Sequence, residues 1–417
     1  MSPAVNTDYD IVIIGGGMVG ATLACALGQA GIGRIAVVEA HAPDTGTDIN
    51  DGHIDIRVSA VTQASARLFQ RLHIWDAIPP SRISPFREMH VWDATGRGEI
   101  HFDSADIGEP SLGYIIENSI IQSALFNRLQ SFDTIDWICP ASLSDLQITD
   151  DKVNVHLDNG RELSTKLIVG ADGHHSAVRD KAGIKTHGWE YQQTAVVATI
   201  TPSGPHSETA WQRFLPDGPL AFLPLADGQC SIVWSTTPDN AKRLLAMNEA
   251  DFLNELQQTF GDKLGKMQGT GPRAAFPLRL CHADKYVIDR LALIGDAAHT
   301  VHPLAGQGVN LGFMDAAALA GVISEAHERG KDVGGLPVLR RYERGRKGDN
   351  LGMMMVMDGF KRLFGSRLPP VRWLRNTGLS LTNSAWPIKN LIMRQAMGLA
   401  RSSHQDDEPE KRASSGY

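Results

Sequence analysis

The chain has 417 residues, 42% of them hydrophobic, and a formal net charge of −7. This length allows two domains with substantial cores, and the negative charge argues against a general nucleic-acid-binding function. The four cysteines are far apart in sequence: Cys25, Cys139, Cys230 and Cys281. They form no C-x-x-C pair and no metal-ligand spacing, which favours a reducing cytosol.

The N-terminal residues predict a dinucleotide-binding unit. A short apolar strand over 10–14 leads into a G-x-G-x-x-G turn and then into a small-residue helix over 21–30. Such a turn lets the backbone approach a pyrophosphate, which the helix N-terminus then holds. The three glycines of the motif are Gly15, Gly17 and Gly20.

An acidic residue completes this unit. A second predicted strand, 34–38, ends at Glu39, 19 residues beyond Gly20, close to the roughly 20-residue spacing of a ribose-binding acid. A carboxylate here accepts hydrogen bonds from ribose hydroxyls and repels a 2′-phosphate. The expected adenosine is therefore unphosphorylated, as in FAD or NAD. The alternative, a glycine-rich core turn, leaves Glu39 without a role.

Residues 11–33 carry no charged side chain, as a membrane span would, but the run contains seven glycines. The predicted strand, turn and helix already account for it, so no membrane span is expected there. Asp8 and Asp10 precede the run in place of basic residues, and a secretory signal is therefore not expected either.

Two stretches, 81–110 and 186–276, contain the alternating apolar and polar residues typical of antiparallel strands. They predict a sheet-based substrate domain inserted into the nucleotide-binding domain, because cofactor motifs lie on both sides of them. The nucleotide-binding domain is then discontinuous and comprises three segments: 1–80, 111–185 and 277–350.

Two polar residues outside these stretches have alternative interpretations. Asp172 and Gly173 end a buried apolar strand that begins at Leu167, and they form either a simple strand-end turn or a turn that places the carboxylate near a cofactor. Arg57 is either a helix-surface arginine or a clamp on dinucleotide phosphates. The sequence pattern alone leaves both alternatives open.

A second cofactor motif lies 275 residues after Gly20. The apolar run 291–294 predicts a strand, and the following Gly295 and Asp296 place a carboxylate at its carboxyl end, where ligands of open α/β sheets bind. A carboxylate there suits a sugar or ribitol hydroxyl. Residues 306–308 then open a helix whose N-terminus stabilises an anion, such as a reduced flavin ring.

The histidines near this motif do not predict a metal site. His299 and His302 are three residues apart, but neither a third ligand nor an H-E-x-x-H motif accompanies them. No metal is assigned to the chain.

The C-terminal region reverses the charge of the rest of the chain. Residues 359–401 contain eight Lys and Arg and no Asp or Glu. Apolar residues accompany them at helical spacing: Ile388, Leu391, Ile392, Ala396 and Leu399. This stripe either lies on an anionic membrane surface or packs on the main body as a helical cap. We expect a helical region over 351–401 and a disordered tail over 402–417.

Three motifs, in order and approximate spacing, resemble those of the single-component flavoprotein aromatic hydroxylases related to para-hydroxybenzoate hydroxylase. They are the fingerprint at Gly15, Gly17 and Gly20, the Asp172–Gly173 motif with Arg179, and the Gly295–Asp296 motif. More narrowly, the chain resembles the hydroxylases of ubiquinone biosynthesis, and in particular their 2-polyprenylphenol type. The resemblance extends over nearly the whole chain, as far as Leu399. Stretches that carry it include 57–60, 116–119, 189–192, 302–317 and 394–399.

The resemblance implies an α/β fold with an α+β insert: a Rossmann-type FAD domain, an inserted antiparallel-sheet substrate domain and a C-terminal helical region. It implies FAD as cofactor, NAD(P)H as transient reductant and O₂ as co-substrate, with oxygen passing from a flavin C4a-hydroperoxide to a phenol ring. The protein's part is to exclude water and align the phenol. No nucleophile–base pair is therefore expected.

The resemblance also implies site residues along the length of FAD: Arg57 and Gln122 near the phosphates, Asp172 near the adenosine-to-pyrophosphate region, and Asp296 on the ribitol. Pro303 would flank the flavin ring where oxygen reacts, and His299 would be a polar contact rather than a base. These two residues are the candidates for a catalytic role. Four others would meet the pyrimidine edge of the ring: Gly306, Gln307, Gly308 and Asn310.

The sequence thus predicts an FAD-dependent monooxygenase that hydroxylates the ring of a polyprenylated phenol in ubiquinone biosynthesis. We expect it in the cytoplasm, peripheral to the inner membrane, with other ubiquinone-biosynthesis proteins as partners. A sister hydroxylase acting at another ring carbon is an open alternative, because these enzymes share all three motifs. A disulfide reductase would need paired cysteines, and a dehydrogenase gives Asp296 no role. A non-catalytic flavin-fold scaffold subunit also remains open.

Overall fold

The computed structural model describes residues 7–42, 54–96, 98–300 and 308–365, together with 389–390, 393–394 and 397–399. Its helices are α1 (Met18–Gln29), α2 (Gln63–Arg71), α3 (Asn118–Leu129), α4 (Ala177–Lys181), α5 (Pro238–Ala246), α6 (Glu249–Phe260), α7 (Gly308–Glu328) and α8 (Leu336–Gly365).

The strands are β1 (Thr7–Ile14), β2 (Ile35–Val38), β3 (Val58–Thr62), β4 (Ser84–Phe86), β5 (Glu88–Asp93), β6 (Glu99–Asp103), β7 (Gly113–Glu117), β8 (Ile135–Ile138), β9 (Leu143–Ile148), β10 (Val153–Leu157), β11 (Glu162–Gly170), β12 (Thr186–Pro202), β13 (Thr209–Leu215), β14 (Gly218–Pro224), β15 (Cys230–Thr236), β16 (Met267–Ala283), β17 (Val287–Ile288), β18 (Leu291–Leu293) and β19 (His299–Thr300).

The first sheet has the order β17-β18-β11-β1-β2-β8, with a β9–β10 hairpin beside β11. Its central strands β18, β11, β1, β2 and β8 run parallel. All four residues of β2 are buried, as expected of a parallel strand covered on both faces. This sheet confirms the predicted Rossmann-type half of the fold, and it brings the ends of β1, β11 and β18 to one edge.

The second sheet has the order β19-β16-β12-β15-β14-β13-β5-β6. Its pairs are antiparallel except for the parallel pair of β13 and β5. The alternating residues predicted within 186–276 form antiparallel strands that include β12, β14 and β15, which confirms the antiparallel insert. Apolar residues of α6 pack on this sheet.

Strands from both predicted domains share sheets, so the two units are joined by hydrogen bonds. β7 pairs with both β3 and β4, although 84–86 and 113–117 fall in different predicted segments. β16 likewise continues without a break across position 276. The proposed domain boundaries stay a prediction.

Among the described residues, one helix, α7, is long and apolar enough to cross a membrane. Half of its apolar stretch is buried inside the protein, and α7 packs against α1 and α8. It also carries Asp315, which is fully buried and ion-paired. These contacts are those of a core helix.

The described residues of the C-terminal region pack on the main body. Lys389 Nζ lies 2.6 Å from Asp106 Oδ2, and the carbonyl of Met397 accepts a hydrogen bond from the Ala64 amide at 3.3 Å. Three apolar residues are buried here: Met393, Met397 and Leu399. For this part of the chain, the packed-cap interpretation is favoured over a membrane-facing stripe. The stripe residues Ile388, Leu391, Ile392 and Ala396 lie outside the described residues.

Candidate active site

The fingerprint turn between β1 and α1 combines close packing with an open helix end. Gly15 has φ +101°, and a Cβ there would lie 2.3 Å from the carbonyl oxygen of Ala171. A Cβ on Gly20 would lie 1.9 Å from the carbonyl oxygen of Gly15. By contrast, a Cβ on Gly17 would meet nothing within 4 Å, and no side chain caps the helix that begins after it. This open N-terminus fits a pyrophosphate.

A cavity of about 230 Å³ lies beside this turn. Glu39, Gln122 and Trp137 line it, together with Gly16 and Gly17. One carboxylate oxygen of Glu39 accepts a hydrogen bond from the Gly16 amide at 2.6 Å, and each carboxylate oxygen has two lone pairs. The structure therefore brings Glu39 and Gln122 together at the fingerprint, and the acceptor oxygens of Glu39 fit the hydroxyls of an adenosine ribose of FAD.

Asp172 lies against the same turn, but its carboxylate serves the local backbone. Its oxygens accept hydrogen bonds from the Ser176 hydroxyl at 2.5 Å and from the Val178 amide at 3.1 Å. Burial raises the pKa of Asp172, and the hydrogen bond from Ser176 opposes that rise. The backbone of Asp172 packs directly behind Gly15. The strand-end turn is therefore present and lies beside the fingerprint turn; a position near the cofactor stays a prediction.

The second motif places a carboxylate beyond the carboxyl end of β18. The Asp296 side chain is open to solvent, yet the surrounding protein desolvates it enough to raise its pKa, against the lowering effects of His299 and Arg57. The Arg57 guanidinium in turn lies 5.5 Å from the centre of the Phe276 ring. Arg57 is exposed in the loop before β3 rather than on a helix surface, and its charge acts on Asp296, 239 residues further along the chain.

A buried ionic network supports the Gly295–Asp296 segment from behind. Asp315, with no exposed surface, accepts hydrogen bonds from His299 Nε2 at 2.5 Å, the Gly295 amide at 3.2 Å and Arg346 Nε at 2.8 Å. Burial alone would raise the pKa of Asp315, but the charges and hydrogen bonds of His299 and Arg346 outweigh it and hold the pKa below its usual range. Asn350 Nδ2 donates to the same carboxylate at 3.1 Å.

His299 is 2% exposed and uses its Nε2 in this network. Its Nδ1 has no hydrogen-bond partner among the described residues. The structure thus places His299 in the core, three residues after Asp296, where it contacts Asp315. A catalytic role for it stays a prediction.

Asn310, in the first turn of α7, is buried and tied to the neighbouring backbone. Its Oδ1 accepts hydrogen bonds from the Thr62 amide at 3.0 Å and the Ser65 hydroxyl at 2.7 Å, and its Nδ2 donates to the Ala60 carbonyl at 2.7 Å. Asn310 therefore fixes the start of α7, which begins at Gly308, against β3 and α2. Pro303, Gly306 and Gln307 lie outside the described residues.

Sequence reasoning missed Asp315, Arg346, Asn350 and Phe276. Asp315 carried one available signal, because it is a lone acid in the apolar pattern of α7, and buried charges are normally paired. Its partner Arg346 gave none, since it is one of many basic residues on α8.

Comparison with known proteins places this geometry in a family. The FAD-binding domain family matches residues 8–348. The chain is 39% identical over 394 residues to 3-demethoxyubiquinol 3-hydroxylase of Escherichia coli (strain K12), which covers 94% of this chain and 100% of the relative. It is also 39% identical to the mitochondrial ubiquinone biosynthesis monooxygenase COQ6 of Xenopus tropicalis, over 94% of this chain and 93% of the relative.

Solved structures share the fold. The p-nitrophenol 4-monooxygenase PnpA of Pseudomonas putida DLL-E4 superposes with a TM-score of 0.77 at 19% identity, covering 94% of this chain and 99% of that one. HpxO of Klebsiella pneumoniae, solved complexed with FAD, superposes with a TM-score of 0.71 at 17% identity, covering 93% and 99%. At these identities the likeness establishes the fold, which is the one predicted from the sequence motifs.

Proposed function

The chain belongs to the FAD-dependent hydroxylase family that includes these ubiquinone-biosynthesis enzymes, and on this premise we propose that it hydroxylates the aromatic ring of a polyprenylated phenol in ubiquinone biosynthesis. The observation that carries the proposal is a pair of polar sites, one at the fingerprint turn and one at Asp296, that suit opposite ends of FAD. Glu39 and the open helix end at Gly17 suit the adenosine and pyrophosphate. Asp296 suits the ribitol, and Arg57, which the resemblance assigned to the phosphates, acts electrostatically on Asp296 at this end.

Bound FAD, reduced by NAD(P)H, supplies the chemistry that transfers oxygen from O₂ to the phenol. The chain's own task is to hold the reactants in place and to keep water away. Phe276 is 38% exposed although it is large and apolar, and it lies beside Arg57 near Asp296. An exposed aromatic ring at this point offers a flat apolar surface for an aromatic substrate.

The buried network keeps the Asp296 segment in position. Asp315 accepts a hydrogen bond from the Gly295 amide, and Gly295 has φ +57°, a conformation that favours glycine. This charge-assisted hydrogen bond holds the turn and so fixes the direction of the Asp296 side chain. Pro303 and the segment through Gln307 would complete the ring site, as their resemblance to the family implies.

Turnover with a soluble phenol tests this function. The purified FAD-loaded enzyme is mixed with NADH or NADPH, with and without a short-chain 2-prenylphenol, and cofactor oxidation is followed together with the mass of the phenol. We expect oxidation that depends on the phenol and a product heavier by one oxygen atom. Flavin that stays oxidised with either nicotinamide would favour the non-catalytic scaffold alternative. The position of the new hydroxyl group would distinguish the 2-polyprenylphenol type from a sister hydroxylase.

We also infer peripheral membrane contact through residues 359–401, because a polyprenyl tail is membrane-soluble and this region carries eight basic residues and no acid. The described residues 389–390, 393–394 and 397–399 pack on the body, so the contact is assigned to basic residues that precede them in sequence, such as Arg372 and Arg375. Other ubiquinone-biosynthesis proteins would be partners at the same surface.

Vesicle flotation tests the membrane contact. Binding to anionic vesicles should exceed binding to neutral ones, fall as salt is added, and weaken in the double variant Arg372→Ala/Arg375→Ala. Lys242→Ala, on the exposed surface of α5, is the matched control. Equal binding by the double variant and the control would refute this assignment.

A further inference from the structure

Three metal-ligating side chains lie together on the β5–β6 hairpin, at the free edge of the second sheet. Glu88 and His90 are two residues apart on β5, so strand alternation points both to one face. His101 on β6 lies directly opposite His90 in the register. The ligand atoms of all three residues lie within 4.8 Å of one another, and this is the one such group among the described residues.

The distances within this group, the β5–β6 cluster, suit one shared ion. Glu88 Oε2 lies 3.0 Å from His101 Nε2 and 4.0 Å from His90 Nε2. A tetrahedral Zn²⁺ with ligands at 2.0–2.2 Å separates its ligand atoms by about 3.4 Å. The observed distances bracket this value, so small rotations of the side chains are sufficient to centre an ion.

The surroundings hold the two histidine rings in place. The His90 ring stacks on His101, with centroids 4.1 Å apart, and on Trp211 at 4.8 Å. This stacking limits how far either ring can rotate.

We propose that Glu88, His90 and His101 bind a divalent transition-metal ion of the Zn²⁺ type, which links the edge strand β6 to β5. Two imidazoles and one carboxylate are ligands that zinc prefers, and water would complete the coordination. The ion would fix the hairpin by joining its two strands through side chains as well as through backbone hydrogen bonds. This site is separate from the cofactor residues, and it does not depend on the proposed reaction.

The sequence contained a partial signal for this site. Glu88 and His90 stand in an E-x-H pattern typical of one strand face, and His101 follows after a turn. Only the pairing register of the hairpin shows that His101 faces His90. Assigning no metal from sequence was based on His299 and His302, whose spacing gave no third ligand.

Titration of the FAD-loaded protein with Zn²⁺ tests the proposal. We expect calorimetry to detect one zinc ion per chain that His101→Ala weakens by at least about 100-fold, because even outer partners of metal ligands are worth 10–100-fold. Glu88→Gln preserves the size of the side chain and should weaken zinc as well. Far-UV circular dichroism and FAD content show whether each variant is folded, and Glu88→Gln serves if His101→Ala is not.

His156→Ala is the matched control. His156 Nδ1 also faces a glutamate across an antiparallel pair, at 3.5 Å from Glu162 Oε1, but it belongs to no group of three ligands among the described residues. The control should keep wild-type zinc affinity. Absence of zinc binding in the wild-type protein, or equal affinity in wild-type, His101→Ala and Glu88→Gln proteins, would overturn the proposal.

Discussion

At the scale of single residues, three aspartates near the two cofactor motifs differ in the hydrogen-bond donors that their carboxylates receive. The carboxylates of Asp172 and Asp315 accept hydrogen bonds from protein donors, whereas Asp296 has an exposed side chain and a raised pKa. A carboxylate that is desolvated but given no donor of its own by the described residues is ready to receive a ligand hydroxyl. Asp315 instead anchors the turn from which Asp296 projects.

Asp296→Ala should weaken FAD binding by about 10- to 100-fold, because a hydrogen bond to a charged group contributes roughly 1.5–3 kcal/mol. The stability of the FAD-free protein should be unchanged or slightly higher, since the variant removes a desolvated charge. Flavin retention on gel filtration and thermal unfolding of the FAD-free protein measure the two effects. Full flavin occupancy at low FAD concentration would contradict the assignment of Asp296.

Asp315→Asn should be strongly destabilising, by about 3–5 kcal/mol, because it leaves the Arg346 guanidinium without its buried counter-charge. Urea unfolding measures the loss. The matched control is Asp349→Asn, which removes a half-exposed acid 3.5 Å from the same Arg346 and should cost less than about 1 kcal/mol. Similar losses of unfolding free energy in the two variants would contradict a particular contribution of the buried network to stability.

At the scale of elements, the three glycines of the fingerprint turn, within six residues, have different roles: two are needed for folding and one for binding the cofactor. Gly15 and Gly20 pack so closely against neighbouring backbone that a side chain at either position would clash. A side chain at Gly17 would face open space. This distinction was not available from the motif, which treats its three glycines alike. The β1–turn–α1 unit itself was predictable, because its apolar strand and small-residue helix are local patterns.

Gly17→Ala and Gly20→Ala should therefore have different effects. Gly17→Ala should leave the FAD-free protein as stable as the wild type, yet weaken FAD, because the new methyl group fills the space that the pyrophosphate needs. Gly20→Ala should destabilise the fold itself, because its Cβ overlaps the Gly15 carbonyl oxygen. Chemical denaturation and FAD titration of both variants check this. Loss of stability in Gly17→Ala, with normal FAD affinity, would reverse the roles.

At the scale of the whole molecule, the sequence predicted the parts of the site that depend on short motifs. The fold, Glu39 and the Gly295–Asp296 turn follow from strand ends and glycines within a few residues of one another. The contact of Arg57 with Phe276 and the anchoring of Asp315 by Arg346 depend on how distant segments pack, and no local pattern specifies this. The β5–β6 cluster likewise depends on a pairing register.

The most direct test of the central claim is a single turnover with isotopically labelled oxygen. The FAD-loaded enzyme is reduced anaerobically by NAD(P)H in the presence of a short-chain 2-prenylphenol and then exposed to ¹⁸O₂. The proposed function predicts one ¹⁸O atom in a new ring hydroxyl group of the product. A reduced flavin that reoxidises without labelling the phenol, or a hydroxyl group whose oxygen comes from water, would contradict it.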